Sequence, residues 1–218
     1  MIAPLTRAEI VTRIEATGVV AVIRLTDAAA GRDVAQALVD GGVTALEVTM
    51  TVPRAVALIE ELAGSLPESC LVGAGTVVDA VTATSVIRAG ARFVVGPVLR
   101  RDVIAVCREH DVPVMPGCFS PTEILEAWDA GADIVKVFPA TSLGPSFFKD
   151  MRGPLPHVKL MPTGGVTREN AGDWIRAGAV AIGVGTALVD AAAVAGRRFS
   201  DITAAAQHFV RAVAEARR

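Results

Sequence analysis

Short β-branched apolar runs alternate with alanine-rich stretches along the whole chain. The apolar runs predict strands over residues 19–24, 45–50, 71–76, 93–97, 113–117, 134–139, 158–163 and 181–185. The intervening stretches predict helices, among them 28–40, 54–63, 80–88, 101–109 and 121–130, with an extra helix over 6–16 before the first strand. Glycines follow several of these helices (Gly41-Gly42, Gly90, Gly131, Gly178), which is the punctuation expected at a helix C-terminus. Near-continuous apolar strands indicate a parallel sheet covered on both faces. Eight strand–helix units favour a (β/α)8 TIM barrel over an open doubly wound sheet, with the N-terminal helix capping its closed end. No linker or low-complexity tract interrupts residues 1–218, which read as a single domain.

Composition narrows the function. Hydrophobic residues make up 52% of the 218, ample for one large core, and the net charge of −2 comes without any long basic run. Nucleic acid is therefore not an expected partner. Cys70, Cys107 and Cys118 are far apart, odd in number and without CxxC spacing, which argues against a disulfide framework or a zinc knuckle. Reduced thiols in the cytoplasm are the default. Residues 1–10 carry Arg7 and Glu9 and lack the apolar core of a signal peptide. The stretch 177–196 is broken by Asp190 and rich in glycine, so no membrane span is expected.

Against this apolar background two charges stand out. Lys136 lies in Ile134-Val135-Lys136-Val137-Phe138-Pro139, otherwise a buried strand. A buried ammonium responds with a lowered pKa, a partner or an exit to water. A lysine held as the neutral amine is a nucleophile suited to Schiff-base chemistry; the alternative is a strand-end lysine that snorkels or pairs with a carboxylate. Glu47, in Leu46-Glu47-Val48-Thr49, is the second anomaly. It reads either as an acid/base partner for such an amine or as half of a buried salt bridge. Barrel enzymes place their chemistry at the C-terminal ends of strands. Side chains alternate along a strand, so Glu47 and Thr49 share a face, as do Val22 and Arg24, and Ala74 and Thr76. With those faces turned inward beside Lys136, one polar cluster forms. Arg24 could clamp a substrate carboxylate through its planar fork, or form a surface ion pair. Phe119 and Phe138 lie at strand ends, where core packing is the ordinary role and lining a pocket the alternative.

A third signal is anion binding. Thr163-Gly164-Gly165-Val166 ends the seventh strand and Gly183-Val184-Gly185-Thr186 the eighth. Glycines admit close backbone approach, and barrels often hold phosphate after strands seven and eight. His110, His157 and His208 share no neighbourhood with Glu47, so no metal site is expected.

Jointly these motifs are similar to one family. Ala21-Val22-Ile23-Arg24, Leu46-Glu47-Val48-Thr49, Gly73-Ala74-Gly75-Thr76, Met115-Pro116-Gly117-Cys118, Val135-Lys136-Val137-Phe138-Pro139-Ala140 and Pro162-Thr163-Gly164-Gly165-Val166 resemble the bifunctional 2-dehydro-3-deoxy-phosphogluconate (KDPG) and 4-hydroxy-2-oxoglutarate (KHG) aldolases over nearly the whole chain. The resemblance implies a class I aldolase without metal or organic cofactor. Lys136 would carry the Schiff base and Glu47 would act as general acid/base. Arg24, Thr49, Thr76, Pro97 and Phe138 make the candidate substrate-binding set, and Thr163, Gly164, Gly165, Gly185 and Thr186 the phosphate-binding set. It also implies a cytoplasmic homotrimer cleaving a 2-keto-3-deoxy sugar acid phosphate to pyruvate. Some members have an arginine two residues after the threonine of Glu-Val-Thr; here that position is Thr51, leaving Arg24 to hold the substrate carboxylate. The C4 epimer, 2-dehydro-3-deoxy-6-phosphogalactonate, is the alternative substrate, although Pro162-Thr163 looks more like the gluconate enzymes. A phosphosugar isomerase would need histidine, aspartate or cysteine sets absent from these strand ends. A non-catalytic phosphometabolite-binding barrel would have no use for Lys136.

Overall fold

The computed structural model describes residues 5–218; residues 1–4, part of the stretch read for a leader, lie outside them. The strands are β1 (Val19–Ile23), β2 (Ala45–Thr49), β3 (Leu71–Gly75), β4 (Val94–Val95), β5 (Val114–Met115), β6 (Gly117–Cys118), β7 (Val135–Val137), β8 (Leu160–Pro162) and β9 (Ile182–Val184). The helices are α1 (Arg7–Thr17), α2 (Gly31–Asp40), α3 (Ala55–Ser65), α4 (Ala80–Arg88), α5 (Arg101–Glu109), α6 (Pro121–Asp129), α7 (Gly144–Arg152), α8 (Ala171–Arg176), α9 (Ala191–Ala195) and α10 (Phe199–Ala216). All strand pairs are parallel. One run is ordered β5-β4-β3-β2-β1-β9 and the other β6-β7-β8. β5 and β6 are two halves of one barrel strand separated by Pro116, which has no N–H for the ladder. Its carbonyl still accepts from the Lys136 amide at 3.0 Å. A Thr163–Gly183 bridge joins β8 to β9 and closes the (β/α)8 barrel.

The strands are shorter than their apolar runs. Arg24, Met50, Thr76 and Pro97 fall beyond strand ends, because the chain there bends into the βα connections. The stretch 28–40 is also not one helix. Asp27 caps a 3₁₀ turn, Ala28–Ala30, before α2 begins. The glycine punctuation is as expected: Gly131 and Gly178 have φ of 100° and 106°, where any other L-residue is strained.

Burial divides into two layers. Outward-facing Ala21, Ile23, Leu46, Val48, Val72 and Ala74 pack against the helices. Inward-facing Val20, Ala45, Leu71, Phe93, Met115, Ile134 and Met161 fill the lower barrel with Ile10, Val11 and Ile14 of α1. α1 plugs the closed end, as expected. Its first turn is fixed by a Thr6–Glu9 capping box, and Arg7 bonds Asp133 at 2.7 Å and the Gly131 carbonyl at 2.6 Å. An apolar, filled floor leaves the C-terminal mouth as the open end of the barrel. None of the described helices is long and apolar enough to cross a membrane.

Candidate active site

Lys136 continues the inward series of Ile134 on β7, and Glu47 that of Ala45 on β2. Lys136 is 5% exposed and Glu47 1%. No ion pair joins them, so the buried salt bridge that the sequence left open is not formed. The Lys136 ammonium position lies 5.1 Å from the centre of the Phe138 ring, two residues up the same face. Glu47 Oε2 has no hydrogen-bond partner among the described residues. Burial pushes the Glu47 carboxyl above the usual carboxylate range, and the charges of Lys136 and Arg24 only partly offset this. A carboxyl set this way can take and return a proton closer to neutral pH than an ordinary glutamate.

Past the strand ends is a cavity of about 680 Å³; Phe138, two residues beyond Lys136, and Val22, paired with Glu47, reach its wall, whereas Lys136 and Glu47 themselves do not line it. Val22, Arg24, Thr51, Phe138, Thr163 and the Gly164-Gly165 and Gly185-Thr186 segments line it. Among the described residues Arg24 is its one charged lining residue, is exposed, and takes part in none of the ion pairs. The amides of Gly164, Gly165 and Thr186 donate to no acceptor among the described residues. Gly164 and Gly165 have φ of 87° and 74°, a conformation that turns the chain over the mouth and suits glycine alone. Thr163 is 7% exposed, and its hydroxyl also lacks a partner. It leans over Gly183, where a Cβ would come within 2.3 Å of Oγ1. Unused amides, one free guanidinium and an orphan hydroxyl around one space suit a ligand that is anionic at both ends.

Other expectations need correction or refinement. Ala74 belongs to the outer layer, so β3 turns Gly73 and Gly75 inward. The Ala74/Thr76 face expected to point inward does not; Thr76 follows the strand with φ of 60°, outside its alternation. Thr49 is fully buried, with its hydroxyl 3.2 Å from the Ile23 carbonyl and 2.7 Å from the Thr51 hydroxyl. It thus braces the ends of β1 and β2 beneath the cavity. Pro97 is half-buried, its carbonyl closing on Gly117, where a Cβ would meet it at 2.3 Å. Phe119 does not pack in the core; it is 43% exposed. Leu25, Thr26, Pro53, Val166, Ala187 and Val189 also line the cavity and were not foreseen. They lie past strand ends, where periodicity carries no signal.

No three of the described histidine, cysteine, aspartate and glutamate side chains gather to hold a metal ion. The three thiols are free and buried, and burial pushes Cys107 and Cys118 up to about 12, so they are poor nucleophiles.

A family model described as Aldolase: KDPG and KHG aldolase matches residues 10–205. The chain belongs to that family. It is an aldolase, a carbon–carbon lyase. It is 35% identical to 2-dehydro-3-deoxy-phosphogluconate aldolase of Treponema pallidum, over 94% of this chain and 96% of the relative. It is 32% identical to 2-dehydro-3-deoxy-6-phosphogalactonate aldolase of Escherichia coli, over 83% of this chain and 86% of that one. A crystal structure of KDPG aldolase from Legionella pneumophila, with pyruvate captured as a covalent carbinolamine intermediate, superposes with a TM-score of 0.84 at 31% identity, covering 90% of this aldolase and 96% of the other.

Proposed function

We propose that this aldolase cleaves 2-dehydro-3-deoxy-6-phosphogluconate to pyruvate and D-glyceraldehyde 3-phosphate through a Schiff base on Lys136, without metal or organic cofactor. 4-Hydroxy-2-oxoglutarate is the expected second substrate, cleaved to pyruvate and glyoxylate. The observation that carries this reading is a buried lysine without a carboxylate partner, sharing the barrel with a buried carboxylate that has none either, beneath an anion-suited cavity.

The amine form of Lys136 attacks the C2 ketone. Glu47 supplies and recovers the protons as the carbinolamine loses water to give the iminium ion. The Glu47 carboxylate then takes the proton of the C4 hydroxyl as the C3–C4 bond breaks. The bonding pair moves into the iminium to form the enamine, and the aldehyde departs. C3 is reprotonated, and water hydrolyses the resulting iminium to free pyruvate and Lys136. Covalent attachment replaces a bare carbanion by an enamine, splitting one hard step into easier ones.

Arg24 holds the substrate carboxylate, and Gly164, Gly165, Gly185 and Thr186 hold the phosphate. The Thr163 hydroxyl, which has no partner among the described residues, joins them in binding the phosphate. Phe138 walls the cavity beside the reacting amine, while Thr76 and Pro97 shape the pyruvate side of the mouth. A charge-assisted fork is worth more than a neutral hydrogen bond. Arg24→Ala is therefore expected to raise KM by roughly 10- to 100-fold with a smaller change in kcat. An unchanged KM in steady-state cleavage assays would remove Arg24 from this role.

The galactonate epimer is the second reading, favoured by the Escherichia coli relative. Cleavage of both epimers, followed by coupling pyruvate to lactate dehydrogenase, separates the two. A larger kcat/KM for the gluconate substrate supports the first, and equal or reversed values support the second.

The assembly proposed is a homotrimer. Val78 and Val81 after β3, Val98 after β4, and Phe119 and Leu125 after β6 are exposed on neighbouring connections, with Val81 81% exposed. Apolar side chains gathered in this way suit a subunit interface. Val81→Asp combined with Phe119→Asp is expected to convert a trimer to monomers in light scattering. A monomeric parent protein would overturn the assembly. The free thiols support a cytoplasmic location.

A further inference from the structure

Glycine inside a strand weakens it, so an interior glycine usually marks a close approach by another group. The inner face of β3 has two, Gly73 and Gly75, and neither has the positive φ that would itself require glycine. Their neighbours differ in kind. A Cβ at Gly73 would strike the Phe93 ring at 2.4 Å, in the apolar floor. A Cβ at Gly75 would strike Glu47, at 2.0 Å from Oε1 and 2.6 Å from both Cδ and Cγ. The strands pair Glu47 with Gly73 and Thr49 with Gly75. The Glu47 side chain therefore leans one step toward the mouth and lies along the bare backbone of Gly75. Three successive atoms would be obstructed, so moving the carboxylate tip alone does not relieve the overlap.

We propose that Gly75 is a positioning residue for the aldol chemistry, because the absence of a side chain there makes the slot that holds the Glu47 carboxylate in place. The inference rests on the role given to Glu47 above. With any Cβ at 75, Glu47 has to swing from β3 toward the barrel axis. Its distances to Lys136 and to the reacting C4 hydroxyl change, and so does its burial. Misplacement of a reacting group by about 1 Å costs on the order of 10²-fold.

The test is Gly75→Ala in the full-length aldolase, measured beside Glu47→Gln and the double variant. Gly75→Ala is expected to lower kcat by roughly 10- to 100-fold with little change in KM. The acidic limb of its kcat–pH profile should move to lower pH, since the displaced carboxyl leaves its most desolvated position. In the Glu47→Gln background the same substitution should cost little more, because it acts through a group already disabled. Wild-type kcat and pH profile in folded Gly75→Ala, with Glu47→Gln slow, overturn the inference and leave the function standing. An equal loss in both backgrounds also overturns it. Wild-type turnover in Glu47→Gln removes the acid/base reading and the inference with it. If Gly75→Ala does not fold, combining it with Glu47→Ala decides the matter. Recovered folding identifies the Glu47 side chain as the obstacle, and continued failure overturns the proposal.

Discussion

Lys136→Ala is expected to yield no reduced pyruvyl adduct when incubated with pyruvate and borohydride, whereas the parent protein carries one on the peptide containing Lys136. Turnover should fall by roughly 10⁴- to 10⁶-fold, the scale seen when a covalent nucleophile is removed. The size of the loss follows from the chemistry. Without an amine at this position no iminium forms to accept the electron pair of the C3–C4 bond; Arg24, the charged residue of the cavity lining, is no electron sink. The fold should survive, since among the described residues Lys136 makes no ion pair whose partner would be stranded. Intact mass and peptide mapping read the result. An adduct on Lys149 or Lys159, or none in the parent protein, would reduce Lys136 to a structural residue and favour a binding barrel.

Glu47→Gln is expected to lower kcat by roughly 10²- to 10⁴-fold, the usual worth of general acid/base help. The same change should stabilise the protein at neutral pH. The Glu47 carboxyl is buried, and its folded pKa is raised by that burial. Between the ordinary carboxylate pKa and the raised one, the folded state keeps a proton that the unfolded chain has released. Stability is therefore unpenalised in acid, declines as pH rises through that window, and stays lower above it. Glutamine carries no charge to desolvate, so its advantage should be absent in acid, where the parent carboxyl is protonated in both states, and grow as pH rises above the ordinary carboxylate range. Thermal melts of both proteins from acid to neutral pH check the sign. A Glu47→Gln protein less stable than its parent at neutral pH would mean that the carboxylate has a stabilising partner. The trade is the expected one for an active site, where the group that reacts is poorly satisfied before substrate arrives.

Much of this site is legible in the chain because its chemistry contradicts its surroundings. A lysine in Val-Lys-Val and a glutamate in Leu-Glu-Val are conspicuous in any apolar strand, and the Gly164-Gly165 pair marks a turn wherever it occurs. The rest depended on relations between strands. Both faces of a parallel barrel strand are apolar, one toward the helices and one toward the interior, so alternation does not reveal which is which. That is why Ala74 and Thr76 were expected to face inward although Gly73 and Gly75 do. The Gly164-Gly165 pair was readable as a motif, whereas the close approach at Gly75 was not, because its reason is a side chain on the adjacent strand.

By itself the sequence pointed to the (β/α)8 architecture, to a plug at the closed end and to two charges in apolar strands that call for a reaction, a partner or a way to water. These follow from local periodicity and from the cost of burying an ion, neither of which needs a partner to be known. Only the tertiary structure decided that Lys136 and Glu47 form no ion pair with each other, that Arg24 opens into the cavity past the strand ends, and that Thr49 braces strands while Phe119 lies exposed. Those outcomes depend on strand register and on where each βα connection turns. They arise between residues far apart in the chain, where no local pattern records them.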